Sequence, residues 1–223
     1  MRYWLQADQE ESLFGPERGC AEFVQRLLHF DGAAEERGAS PDDELLYVLD
    51  GSGVATIDGE RAELAPGTAA YVAAGARWSV DEADGLELLS VLVRDPLPTD
   101  SGRHAVIGLD EAEAGEATAG RMFRLLAPCA SATQFVGYIP PGRAPDHYHR
   151  YDEVVYVLDG EGALHVDEES APLRRGSCIH LPAKLVHSLE NHGPGEMLVL
   201  GVFRPAGSPA EAYYLDGTAA YQY

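Results

Sequence analysis

Two runs, ELLYVLDG (44–51) and EVVYVLDG (153–160), set aliphatic and aromatic residues between a glutamate and an Asp-Gly pair. Short apolar runs closed by a dipeptide that favours tight turns predict buried strands. GVATIDG (53–59) and GALHVDE (162–168) read as a second strand in each case, and LLSVLVRDP (88–96) and MLVLGVFRP (197–205) as a late one. Turn signals roughly every eight to twelve residues predict an all-β sandwich or jelly-roll barrel. Helical candidates are confined to 110–121 and 208–215, and neither carries an apolar stripe.

The pattern is written twice. A shift of 109 residues lays DDELLYVLDGSGVATIDGERAELAPG (42–67) over YDEVVYVLDGEGALHVDEESAPLRRG (151–176) without a gap. Glu44 falls on Glu153, Gly67 on Gly176, Cys20 on Cys129, Gln25 on Gln134 and Pro96 on Pro205. Two structural repeats follow, parted in the polar stretch 96–105, with domains expected over 1–100 and 101–223.

Composition narrows the class of partner. The 223 residues include 16 basic and 37 acidic ones, a formal charge of -21, and such a surface repels phosphate backbones. Nucleic acid is therefore not an expected partner, and acidity serves solubility. Neither a signal-peptide pattern at the N-terminus nor an apolar run long enough to span a bilayer is present, so no membrane contact is expected. Three cysteines, Cys20, Cys129 and Cys178, with no CxxC pair, imply no disulfide framework and fit a reducing cytoplasm.

Chemistry concentrates in PDHYHRYDEVVYVLDGEG (145–162), where two histidines and a glutamate precede a strand. In a strand, residues two apart share a face, so His147, His149 and Glu153 converge if the strand runs that far. On a helix the two imidazoles would sit about 200° apart. The β-branched residues Val154, Val155 and Val157 favour the strand. A fourth donor is expected from GSCIHLPAKLVHSLEN (176–191), where a strand ending at Pro182 turns and brings up His187. Two histidines beside a strand can also simply face solvent.

These residues resemble the two motifs of the cupin superfamily. Gly142, His147, His149, Glu153 and Gly160 look like the first, and Gly176, Pro182, His187 and Asn191 like the second. The resemblance implies a conical jelly-roll barrel, or double-stranded β-helix, that holds one divalent metal through His147, His149, Glu153 and His187. With the repeat, the whole chain resembles a bicupin of two tandem barrels. It departs from the pattern at Lys184, where the second motif usually has glycine.

The first repeat places Gly38, Ser40, Glu44 and Trp78 at the ligand positions. An indole donates a hydrogen bond and cannot ligate, so the N-terminal barrel is expected to be metal-free and filled by Trp78 and apolar neighbours.

Three imidazoles and a carboxylate suit manganese, iron, nickel or cobalt, with zinc also compatible. Cys178 reads as a buried apolar residue, and His165 and His180 as core or surface residues rather than cavity-lining ones. His29, His104 and His192 read as surface residues, and Tyr148 and Tyr156 as packing. Lys184, the sole lysine, is a candidate clamp for a substrate carboxylate or phosphate, against the plain reading of a solvated turn. The tyrosines of the tail, Tyr213, Tyr214, Tyr221 and Tyr223, are candidates to cover the barrel or a subunit contact. The favoured function is a metal-dependent enzyme on a small oxygen-rich metabolite, with dioxygenase-type oxidoreductase chemistry slightly ahead of isomerase or decarboxylase chemistry. A non-enzymatic small-molecule binder is the alternative, and either a monomer or a homodimer is compatible.

Overall fold

The computed structural model describes residues 1–7, 12–98, 104–117 and 120–220. Strands dominate, and among the described residues there is no α-helix. Two compact units form. One comprises Met1–Asp8, Glu113–Leu125 and Ala132–Tyr223, and the other Gln9–Ala112 and Leu126–Ser131.

The C-terminal unit sets a seven-stranded antiparallel sheet against a four-stranded one. The larger sheet runs Trp4–Gln6, Ser177–Leu181, Asp152–Asp159, Met197–Arg204, Thr133–Ile139, Met122–Leu125, Glu113–Glu116. The smaller runs Gly142–Arg143, Ser188–Asn191, Glu161–Val166, Glu169–Arg174. Val155, Val157, Ile179 and Val199 from the first meet Leu164, Leu173 and Leu189 from the second in one apolar core. Strand parity puts Glu153 on the same face as Val155 and Val157, so its carboxylate points inward beside that core.

The N-terminal unit builds its barrel from three long strands, Phe23–Arg37, Asp43–Ile57 and Trp78–Val93. Register shifts between Val48 and Asp50 and between Val54 and Ala55 bend the middle one. Leu46 and Val48 near its start therefore share a core with Ala55 and Ile57 at its end. Gly51 stands at the bend with φ +72, and a Cβ there would lie 2.1 Å from the Gly85 carbonyl oxygen. Its twin Gly160 has φ +90 and ends the strand outright, whereas the first repeat runs through as a bulge. The Asp-Gly pair thus sets a left-handed backbone in both repeats but closes a strand in only one.

Three expectations need correction. A division after residue 100 does not describe the units, because each sheet is edged by a strand that precedes the other repeat. Trp4–Gln6 pairs with Ser177–Leu181 in the C-terminal unit, and Ala105–Gly108 pairs with Thr68–Val72 in the N-terminal one. Neither helical candidate forms among the described residues. Residues 109–116 give the 3-10 turn Leu109–Glu111 and the strand Glu113–Glu116, and 208–215 contain the two-residue strand Tyr213–Tyr214. Without an apolar stripe, neither segment has a helical face to bury. No helix of the described residues is long and apolar enough to cross a membrane.

Candidate metal centre

The HxH segment does not continue the strand that bears Glu153. His147 and Tyr148 form a separate two-residue strand paired with Tyr213–Tyr214, and the chain bends at 149–151 before Asp152–Asp159 begins. Arg150 swings out over the Tyr213 ring, 4.0 Å from its centroid. Convergence comes instead from backbone stitching between the motifs. His147 and His187 exchange both N–H···O bonds, at 3.0 and 2.9 Å, and the Lys184 N–H donates to the His149 carbonyl at 2.7 Å.

That last bond explains how the second motif tolerates lysine. Lys184 adopts φ +67, the left-handed conformation that a glycine at this motif position would take. The first repeat keeps glycine there: Gly75, at φ +85, donates to the Ser40 carbonyl in the same way. The substitution changes the side chain, which is exposed, and leaves the turn intact.

The three histidines His147, His149 and His187 bring one ligand nitrogen each within 4.8 Å of one another. Their Nδ1 atoms lie against carbonyl oxygens of Pro145, Glu211 and Leu185, at 2.8, 2.8 and 3.0 Å. A carbonyl only accepts, so each Nδ1 carries the proton and each Nε2 turns a lone pair inward. Burial depresses the pKa of all three, that of His149 to about 3; neighbouring rings lower His149 and His187 further, and the Arg121 charge lowers all three. Glu153 lies beside the triad, its Oε2 4.0 Å from the His149 Nε2. Burial pushes its carboxyl up to about 8, against the pull of Arg121. Three imidazole nitrogens gathered beside a carboxylate are a poor arrangement for a bare protein and a fitting one for a cation. The donor set thus fits a divalent metal: three imidazoles, with the Glu153 carboxylate adjacent.

A cavity of about 70 Å³ opens over the triad and Glu153. Tyr151 stacks on His149 with ring centroids 4.7 Å apart and on Phe203 at 4.0 Å. A Cβ on Gly201 would come within 2.3 Å of the Phe135 ring and 2.9 Å of the Glu153 carboxylate, so this position admits no side chain without displacement. The tail seals one flank, since the Glu211 carbonyl receives the His149 Nδ1–H and Tyr213 pairs with Tyr148. Tyr221 and Tyr223 lie outside the described residues.

Lys184 is not among the residues that line this cavity, nor are His165 and His180. His165 instead reaches Glu190 at 2.8 Å, and His180 is buried 3.7 Å from Asp152. Cys178 is buried and its thiol is pushed up by burial, consistent with an apolar role. His104 is half-buried, 3.2 Å from Glu60, rather than free on the surface. Sequence reasoning missed Arg121, which lines the cavity. It belongs to no motif, and its place becomes visible only once Met122–Leu125 pairs with Thr133–Ile139.

The first repeat fills the corresponding space with hydrogen bonds. Glu44 receives the Trp78 indole N–H at 2.9 Å, the Ser90 hydroxyl and an Arg26 N–H at 3.1 Å. The filling expected to be apolar is therefore partly polar, because Glu44 stays buried and needs donors for both oxygens.

A family model described as Cupin domain matches residues 31–93 and 135–203. A polyketide synthase protein, CurC, of Streptomyces cyaneus is 28% identical over 126 residues, 54% of this chain and 82% of that protein. Quercetin 2,3-dioxygenase of Bacillus subtilis is 36% identical over 80 residues, 32% of this chain and only 24% of the dioxygenase. Among solved structures, oxalate decarboxylase of Bacillus subtilis superposes with a TM-score of 0.72 at 14% identity, covering 96% of this chain and 78% of that one. Mn(II) centres are described for that decarboxylase. At such identity the likeness shows the fold.

Proposed function

The chain belongs to the cupin family, and from that premise we propose that its C-terminal barrel is a divalent-metal enzyme site for a small oxygen-rich metabolite. The observation that carries this reading is the inward set of three Nε2 lone pairs, each fixed by an Nδ1–H held on a backbone carbonyl. His147, His149 and His187 would hold the ion, with Glu153 as the fourth ligand. A bound divalent ion supplies Lewis-acid polarisation of ligand oxygens and, if it is manganese, iron, nickel or cobalt, access to redox chemistry.

The chain's own residues supply orientation and dryness. The carbonyls of Pro145, Glu211 and Leu185 fix ring orientation, and Tyr151, Phe135 and Phe203 wall the carboxylate from water. A cavity of about 70 Å³ suits a molecule of a few heavy atoms rather than a polycyclic one. Dioxygenase-type chemistry remains the favoured class, supported by the similarity to a dioxygenase, with decarboxylase or isomerase chemistry as the alternative. Cys20, Cys129 and Cys178 hold their sulfurs outside any disulfide, which supports a cytoplasmic setting.

The test is metal analysis of chain purified without chelator, followed by oxygen uptake with small oxo and hydroxy acids. Near-stoichiometric metal that is lost in His187→Ala is expected. A folded wild-type chain that takes up none of the five metals overturns the reading. Metal without oxygen consumption removes the dioxygenase version alone.

A further inference from the structure

Arg121 is a guanidinium without a carboxylate. It lines the cavity that holds the triad, and its one hydrogen bond among the described residues is a long one, 3.5 Å from Nη2 to the Leu189 carbonyl. No acid lies within ion-pair distance of it among those residues. Arg121 and Glu153 are the fully charged side-chain types in the cavity wall. In the N-terminal barrel the comparable pairing is closed, with Arg26 Nη2 3.1 Å from Glu44. The position of Arg26 is taken by Phe135 in the second repeat, so the guanidinium enters from the residue ahead of the strand Met122–Leu125 and stops short of Glu153.

A guanidinium stays charged and offers five donors in a planar fork. Placed in one cavity with a divalent ion, it would be repelled, and the single carboxylate of Glu153 leaves an excess of positive charge. An anion between the two resolves both problems. It uses the idle donors and neutralises the field. On the proposed metal site, on which this step rests, we propose that Arg121 binds the carboxylate of a small organic acid whose remaining oxygens reach the triad. The barrel then selects carboxylates over their neutral amides, despite an acidic surface elsewhere.

The experiment uses the full chain, metal-loaded and EDTA-stripped, titrated calorimetrically with malonate and with malonamide. Malonate is expected to bind far more tightly than malonamide. Arg121→Gln is expected to lose about tenfold to a hundredfold in malonate affinity, the scale of a charge-assisted bidentate pair, and to keep its metal content. Equal malonate affinity in R121Q and wild type overturns the clamp, as does a wild type that shows no preference for malonate. The metal reading fails separately, if the wild type holds no metal, and Arg121-dependent malonate binding to that metal-free chain would still uphold the clamp. Should R121Q not fold, phenylglyoxal modification of the wild type decides. Malonate, and not malonamide, is expected to protect Arg121 by peptide mapping, and unprotected Arg121 overturns the inference.

Discussion

Trp78 donates its indole N–H to Glu44 at 2.9 Å, whereas His187, at the same place in the second repeat, turns its Nε2 toward two other imidazoles. One scaffold thus solves the same problem twice, satisfying a buried glutamate with hydrogen-bond donors in one barrel and offering it to a cation in the other. The difference is made by a few side chains on matched backbone.

Removing the indole donor should therefore be a stability lesion with no effect on metal. Trp78→Phe keeps an aromatic ring but deprives a buried carboxylate of one of its three partners. A loss of about 1.5–3 kcal/mol is expected, the scale of a hydrogen bond to a charged group. Urea unfolding should show this loss, and metal content should equal that of wild type.

The metal-free chain should have a stability maximum near pH 6.5. The triad's pKa values are depressed, so its contribution is present above the unfolded value of 6.5 and is lost as pH falls toward the folded values, about 3 for His149. Glu153 is raised from 4.5 to about 8, so its contribution is present below 4.5 and is lost as pH rises to about 8. Between pH 6.5 and 8 only the glutamate slope remains, a decline of about 2 kcal/mol at 1.36 per unit. Metal holds Glu153 ionised and should abolish that decline. Melting curves of stripped and loaded protein across this window check it, and parallel curves would contradict it.

Gly201→Ala should damage the site without touching a ligand. The added methyl meets the Phe135 ring and the Glu153 carboxylate, and neither can move freely in a closed core. A destabilisation of about 1–3 kcal/mol is expected, together with reduced metal occupancy by mass spectrometry of the metal. Wild-type occupancy would mean that Glu153 is not held where the metal needs it.

Lys184→Gly should do the opposite. A side chain at φ +67 carries roughly 1–2 kcal/mol of strain, and the extra freedom of glycine when unfolded offsets about 0.5–1 of that. A net gain of about 0.5–1 kcal/mol is expected in urea unfolding. Malonate affinity should stay unchanged, since the lysine is exposed and outside the cavity wall.

Much of this was legible in the sequence, and the reasons differ by element. The repeat register, the YVLDG strands and the histidines were readable because local pattern and motif spacing coincide with burial. The strand through 147–153 was not, because parity is a local rule while the bend at 149–151 is fixed by pairing with Tyr213–Tyr214 and with His187. Arg121 was invisible for a related reason. An arginine that ends the acidic, alanine-rich segment 110–121 looks solvated until the sheet folds it over the cavity. Lys184 drew attention as the sole lysine, yet rarity in composition says nothing about which way a side chain faces.

Exchange of edge strands between repeats yields the last expectation. Trp4–Gln6 pairs with Ser177–Leu181, the His180 N–H donates to the Tyr3 carbonyl at 3.0 Å, and Met1, Tyr3 and Trp4 pack on the C-terminal core. Deleting residues 1–7 should therefore harm the barrel at the far end of the sequence. Partial burial of these side chains suggests a loss of about 3 kcal/mol there. Hydrogen exchange should show lost protection at His180, with the Thr68–Val72 amides unaffected because Ala105–Gly108 still edges their sheet. If protection fell instead at Thr68–Val72, the first strand would belong to its own repeat, and a boundary near residue 100 would describe the molecule after all.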